Sequence, residues 1–277
     1  MDVQKLDVVL CDKKDYIDLK HIWKVCFGDS DEYINFFFEN KISNCYPVAF
    51  VYDAKIIGAM YLMPVSAMQY CHIKKGLYGY AIGVLPEYRK NGVYSFVHSK
   101  IEEYVLSNNM FYIISPANQK LCDYYKGLGF IENAYVCEKT YEVTEDCTCS
   151  FMESELDFKK YHSLRNEYLK DKNAVFWDED ALCYVLKENE FTGGFNILLT
   201  DTSGTNYFVI IKKSQDMIVV TESNTDNPEK LNGYLSKRFN CKKIKWILPS
   251  DDTNPKILYG LTCNLKKDNY YLNLILN

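Results

Sequence analysis

The sequence predicts an α+β (mixed α/β) chain whose second half repeats the element order of its first. Three stretches of its 277 residues carry that prediction. Gly79-Tyr80-Ala81-Ile82-Gly83-Val84 reads as a buried strand. Pro86 cannot donate to a ladder and ends it, and helical spacing begins at Gly92. Phe111-Tyr112-Ile113-Ile114 is a second apolar strand, closed by Ser115-Pro116-Ala117. Asn118 can cap the helix that follows, and Gly127 and Gly129 stop it. Beyond residue 150 the order helix, helix, three strands, helix, strand, two strands returns.

In chain order, residues 15–26 place Tyr16, Leu19, Ile22, Trp23 and Cys26 at helical spacing, and Gly28-Asp29-Ser30 breaks the run. Residues 31–40 form a second helix with Phe36-Phe37-Phe38, rings that read mostly as core. Residues 48–52, 56–65 and 67–73 read as strands, with Asp53-Ala54-Lys55 as the turn between the first two. Leu77-Tyr78-Gly79-Tyr80 leads into the strand that ends at Val84. The helix after it sets Val93, Phe96, Val97, Ile101 and Val105 on one face, with Lys100, Glu102 and Glu103 on the other.

That helix begins directly after Arg89-Lys90. Its first amides lack intrahelical partners and carry partial positive charge, so they suit an anion. Gly92 lets a ligand approach the backbone, and Arg89 adds a forked cation. The plainer reading is an ordinary strand-turn-helix with a basic turn. Neither a Walker A loop nor a Gly-x-Gly-x-x-Gly fingerprint occurs.

The pattern Val84-Leu85-Pro86-Glu87-Tyr88-Arg89-Lys90-Asn91-Gly92, then Asn118, then Tyr125-Lys126-Gly127-Leu128-Gly129-Phe130, resembles the GCN5-related N-acetyltransferase (GNAT) superfamily. Residues 1–140 cover that family's unit. The resemblance implies a central mixed, mostly antiparallel sheet flanked by helices, in two copies. It implies acetyl-coenzyme A as co-substrate and acetyl transfer to a primary amine by direct attack. The backbone of Ile82, Gly83 and Val84 would pair with the pantetheine arm, and the Val84 amide would polarise the thioester carbonyl. The amides of Arg89, Lys90, Asn91, Gly92, Val93, Tyr94 and Ser95 would hold the pyrophosphate, and Asn118 would reach the cofactor. Tyr125 would protonate the departing thiolate; the alternative is a buried ring that packs its helix. Many relatives carry Gly or Ala where Tyr94 stands, so this ring leans over the loop or packs beneath it. The glutamate that many relatives use as base is missing, with Tyr78 and Tyr80 in its neighbourhood. A water relay, His72 or a group from the second half could serve instead, while Glu87 reads as solvated.

The composition fits a globular cytoplasmic protein. Apolar residues make up 48% of the chain, no stretch is long enough to span a bilayer, and the N-terminus shows no signal-peptide pattern. Eleven cysteines without a framework read as reduced thiols. Cys147-x-Cys149 has no matching His or second Cys pair, so no metal is expected. The net charge of −5 argues against nucleic acid and favours a cationic acceptor, a small-molecule or peptide amine. No membrane partner is expected.

The polar stretch 144–150 divides an expected catalytic domain, 1–143, from a second, degenerate GNAT-like domain, 144–277. In the second half, residues 158–169, 180–188 and 227–239 read as helices. Residues 195–200, 207–212, 217–222, 244–248, 257–263 and 270–276 read as strands. Its third strand ends on acidic Glu222 and is followed by Asp226, with no Arg-x-x-Gly, so only the first half should bind the cofactor. The terminal Asn277 follows directly on a predicted strand, and its carboxylate could enter a cleft or lie on the surface. Two other readings stay open: a non-catalytic acyl-coenzyme A binder, and a tandem aminoacyl transferase of the Fem type. A monomer or a homodimer fits equally.

Overall fold

The computed structural model describes residues 1–69, 72–143, 150–250 and 254–272. In chain order the elements are β1 (Asp7–Leu10), α1 (Tyr16–Phe27), α2 (Asp31–Asn40), β2 (Tyr46–Tyr52), β3 (Lys55–Gln69), β4 (His72–Val84), α3 (Val93–Ser107), β5 (Phe111–Ile114), α4 (Gln119–Gly127), β6 (Ile131–Glu142), β7 (Phe151–Glu155), α5 (Phe158–Leu169), β8 (Val175–Trp177), α6 (Glu179–Phe191), β9 (Phe195–Asp201), β10 (Asn206–Ser214), β11 (Met217–Ser223), α7 (Glu229–Phe239), β12 (Lys243–Pro249) and β13 (Ile257–Cys263). The chain divides into two compact units. The first holds Met1–Glu132, Phe176–Ala181 and Gly260–Lys267, and the second holds the remaining described residues.

In the first unit the strands run in the order β1-β2-β3-β4-β5-β13. Neighbours are antiparallel except β4 and β5, which are parallel and joined through α3. Strand β3 is buried continuously from Ile57 to Met63 and β4 from Gly76 to Tyr80, so side chains alternating between the two faces meet a packed layer on each. On one face Trp23 of α1 packs its ring 4.7 Å from Phe37 of α2, 5.1 Å from Tyr61 and 5.6 Å from Tyr80. On the other, α3 lies over β5, and the Tyr94 and Tyr112 hydroxyls meet at 3.3 Å. The Ser30 hydroxyl caps α2 by accepting from the Tyr33 amide.

The long hairpin differs from the sequence expectation. Ser66 does not separate two strands: β3 continues to Gln69, and β4 begins at His72, in unbroken register from Met63↔Tyr78 to Gln69↔His72. The expected strand 67–73 therefore belongs partly to β3 and partly to β4. The sequence pattern does not predict edge strand β1. It is only four residues long, with three of them exposed, so it lacks a readable alternation.

The second unit repeats this topology, in the order β7-β9-β10-β11-β12-β6. Neighbours are antiparallel except β11 and β12, which are parallel and joined through α7. Leu231, Leu235, Ile218, Val220 and Trp246 form its core. Arg165 of α5 and Glu222 of β11 are both buried, with Nε donating to Oε1 at 2.8 Å, and the Tyr161 hydroxyl also donates to Glu222. In each unit the sixth strand comes from the other half of the sequence: β13 beside β5, and β6 beside β12. The strand that follows α4 is thus not the neighbour of β5. Strands β7 and β8 are likewise absent from the sequence expectation. Of the expected closing strand, Tyr270 and Tyr271 make isolated bridges, to Ala134 and Ala174. Leu272 is buried, and residues 273–276, the terminal carboxylate and the Cys147–Cys149 pair lie outside the described residues.

Candidate functional site

The site grows from one irregularity in β4. Gly83 pairs with Ala59, but Tyr80 pairs with Tyr61, so β4 carries one extra residue. Ala81 takes φ +46° there, an uncommon left-handed value that marks a bulge. The parallel pairing with β5 stops at Gly79↔Ile114. Beyond it, no strand among the described residues pairs with the β5-side edge of Ile82–Val84. The Leu85 amide donates to Ile57 O at 2.9 Å, so ladder alternation turns the Val84 N–H and C=O away from β3, toward that open edge.

The chain then makes a single 3-10 turn over Pro86–Tyr88. Lys90 at φ +64° and Gly92 at φ +77° swing it into α3. Gly92 is the N-cap and offers no capping side chain. The first α3 ladder bond runs from Phe96 N to Gly92 O at 3.0 Å, which leaves the Val93, Tyr94 and Ser95 amides at an uncapped helix start. Backbone groups at the open edge of β4 and at this helix end suit an extended, phosphate-bearing ligand.

The expected residues take these places. Arg89 Nε donates to Val84 O at 2.7 Å, so its guanidinium closes the turn onto the strand. Gly83 is buried for a packing reason: a Cβ there would lie 3.0 Å from Cys26 of α1. The Asn91 side-chain Nδ2 donates to Tyr88 O and Arg89 O and stiffens the loop. Val93 and Tyr94 turn their side chains into the core, so they can offer only their amides. Of the two positions open to Tyr94, the structure shows the ring beneath the loop, with burial holding its hydroxyl well above the usual phenol range. Asn118 Oδ1 accepts from the Leu121 amide at 3.0 Å and caps α4. Tyr125 is buried among Tyr94, Tyr124 and Phe130, with ring centroids 5.5–5.8 Å away, and burial pushes its hydroxyl up to about 12. His98 fixes this corner from α3, through Nε2 to Leu128 O at 3.1 Å and a ring contact of 4.6 Å with Phe130.

His72 lies elsewhere. It is exposed at the far end of β4, twelve residues from Val84, about 40 Å along the strand. That distance removes it as a base for this site. Two hydroxyl contacts are not predicted by the sequence. Tyr33 and Tyr80 meet at 3.1 Å beside the bulge, and Ser95 meets Tyr124 at 3.0 Å on the first turn of α3. Tyr124 and Tyr125 sit in one motif, which is a signal for the second. Nothing in spacing links residues 47 apart for the first. Among the described residues no His, Cys, Asp or Glu group is arranged to hold a metal, and no helix is long and apolar enough to cross a membrane.

Residues 16–130 match the model of the acetyltransferase (GNAT) family. No curated protein sequence matches the chain. Among solved structures, a conserved protein of Enterococcus faecalis V583, described as a probable N-acyltransferase, superimposes with a TM-score of 0.74 at 15% identity. It covers 93% of this chain and 72% of its own. A GCN5-related N-acetyltransferase from Kribbella flavida gives 0.69 at 15% identity, covering 93% and 70%. Saccharomyces cerevisiae N-myristoyltransferase with bound myristoyl-CoA gives 0.56 at 9% identity, covering 96% and 85%. At such identities these structures speak for the fold.

Proposed function

We propose that this chain, whose residues 16–130 match the model of the acetyltransferase (GNAT) family, moves acetyl from acetyl-CoA to a primary amine of a small molecule or peptide. The observation that carries this reading is the bulge at Ala81, which opens the Ile82–Val84 edge directly beside the uncapped start of α3. The fit is in the backbone. The Val84 amide faces the open edge, and the Val93–Ser95 amides face outward from a glycine-capped helix end.

Acetyl-CoA supplies the activated acyl group. The Ile82–Val84 backbone pairs with the pantetheine arm, and the Val84 amide donates to the thioester oxygen as charge builds there. Arg89 keeps Val84 aligned by holding its carbonyl. The amides of the 89–95 segment hold the pyrophosphate, and Asn118 borders the cofactor. Tyr125 gives its proton to the leaving sulfur; its raised pKa keeps that proton in place at neutral pH. The neutral amine attacks the carbonyl carbon directly, without an acyl-enzyme; the C–S bond breaks, the proton the nitrogen sheds passes to solvent, and solvent returns one to Tyr125.

We extend the reading to two domains, 1–143 catalytic and 144–277 a copy that does not bind the cofactor. The second unit supports this with a bulge in β11, where Ile210 pairs with Glu222 but Ile211 pairs with Val220. There, however, the strand end presents Glu222, bound to Arg165, and the next turn presents Asp226, paired with Lys172.

Calorimetric titration with acetyl-CoA, wild type against Arg89→Glu, followed by thiol release over a panel of amines, tests the reading. Binding lost on reversal, with amine-dependent thiol release, is expected. Binding without release to any amine would favour a non-catalytic acyl-CoA binder, and no binding by the wild type would overturn both.

A further inference from the structure

A cavity of about 920 Å³ lies in the first unit, at the other end of β4 from the open edge. Its walls are apolar: Val48, Leu62 and Leu77 of the sheet, Phe96 and Ile101 of α3, and Trp177. Leu77 precedes Val84 by seven residues, about 23 Å along the strand, so this space is separate from the proposed acyl-transfer site. Trp177 is held as a wall by its edge contact with Tyr78, centroids 5.0 Å apart. Exposed apolar side chains crowd the mouth: Leu10 at 70%, Ile73 at 71%, Tyr46 at 50% and Tyr104 at 54%. A cluster of this kind marks a binding surface more often than chance exposure does.

Ile73, Lys75 and Met110 also line an adjoining recess of about 650 Å³, completed by Gln69, His72, Lys74, Asn108 and Asn109. Among the described residues no carboxylate lines the recess. The cavity itself carries Asp7, Asp178, Lys75 and Lys100. Two of these four charges, Lys100 and Asp178, are engaged. Lys100 pairs with Glu103 at 3.4 Å, and Asp178 faces the fully buried Lys41 at 4.0 Å and accepts from the Ala181 amide. Lys74 donates to Asn264 O. Among the described residues no carboxylate pairs with Lys75, and it stands where the apolar space meets the basic one.

We propose that this cavity binds a straight-chain fatty acid, its tail along Leu62, Leu77 and Ile101 and its carboxylate at Lys75. The volume suits such a ligand, since ligand pockets span roughly 300–1,000 Å³. Charge complementarity selects the head group: a carboxylate gains the Lys75 ammonium, while a cationic head would add to an already basic recess. The inference does not rest on the acyl-transfer reading.

The test is calorimetric titration of the full chain with dodecanoate. Saturable one-to-one binding is expected. Lys75→Glu, a change on an exposed side chain, should weaken it at least about tenfold. Ser66→Trp, which fills the cavity, should abolish it, with circular dichroism checking the fold. Dodecyltrimethylammonium should bind at least tenfold more weakly, about 1.4 kcal/mol or more, and saturating coenzyme A should change nothing. No saturable binding, equal affinity for the cationic amphiphile, indifference to Lys75→Glu, or displacement by coenzyme A would each overturn the proposal. So would a self-associating chain that Leu10→Glu disperses and that binds no dodecanoate, because the face would then belong to a second copy.

Discussion

Arg89 reaches back across the turn and donates its Nε–H to Val84 O at 2.7 Å. The bond joins the last residue of β4 to the loop that leads into α3, so the two backbone surfaces offered to a ligand are held in one geometry. Charged hydrogen bonds of this kind contribute roughly 1.5–3 kcal/mol. Arg89→Ala should therefore raise the dissociation constant of acetyl-CoA about tenfold or more by calorimetry. Arg89→Lys should recover little, because an ammonium cannot reproduce a directed Nε–H. Full affinity in Arg89→Ala would mean the bond is incidental.

Tyr125→Phe separates binding from chemistry. The ring and its packing remain, so acetyl-CoA affinity should stay within about twofold, while turnover falls by roughly 10²-fold or more. The pH profile carries a second check. A general acid works while protonated, and burial moves the loss of the Tyr125 proton upward to about 12. No alkaline limb attributable to Tyr125 should therefore appear below pH 10 in kcat. An unchanged turnover would return Tyr125 to the role of a packing ring.

Gly92 tests the loop through conformation alone. Its φ is +77°, yet nothing lies within 4 Å of where a Cβ would stand. Gly92→Ala thus meets no clash and pays only for the left-handed backbone, about 1–2 kcal/mol. Denaturant unfolding should show that loss. Gly92→Asn should lose less, because asparagine tolerates this region better. Equal stability of all three chains would show that the turn has relaxed.

In the second unit, Arg165→Met should destabilise strongly, by about 3–5 kcal/mol, because it strands a buried Glu222 carboxylate. Arg165→Met with Glu222→Leu should regain much of the loss in the same denaturant assay. A single variant as stable as wild type would show that Glu222 finds other compensation.

Alkali should unfold the protein from pH 10 upward. Tyr94, Tyr112 and Tyr125 are buried neutral phenols with raised pKa values. The unfolded chain releases these protons near pH 10 while the folded chain keeps them. Their contribution to stability is thus complete below pH 10 and is lost as pH rises through the folded values. Tyr125→Phe should flatten the fall in thermal midpoint between pH 10 and 12.

Much of the first unit's site is legible in the amino-acid sequence. Pro86 ending the strand, Gly92 opening the helix and Asn118 capping the next are statements about one turn of chain, and each holds. The bounds 31–40 and 158–169 for α2 and α5, and 111–114 for β5, coincide with the structure for the same reason. Caps, prolines and apolar periodicity act within a few residues, so the sequence by itself determined them. The bulge at Ala81 is not legible, because an alanine there gives no sign of φ +46°; pairing with β3 on one side and the end of β5 on the other imposes it. The Tyr33–Tyr80 contact, the full length of β3 and the choice of β13 as neighbour to β5 are of the same kind. Each joins residues far apart in the chain, and which partner wins depends on packing summed over a whole layer. Tertiary structure alone decided those, and with them the open edge of β4 on which the proposed chemistry rests.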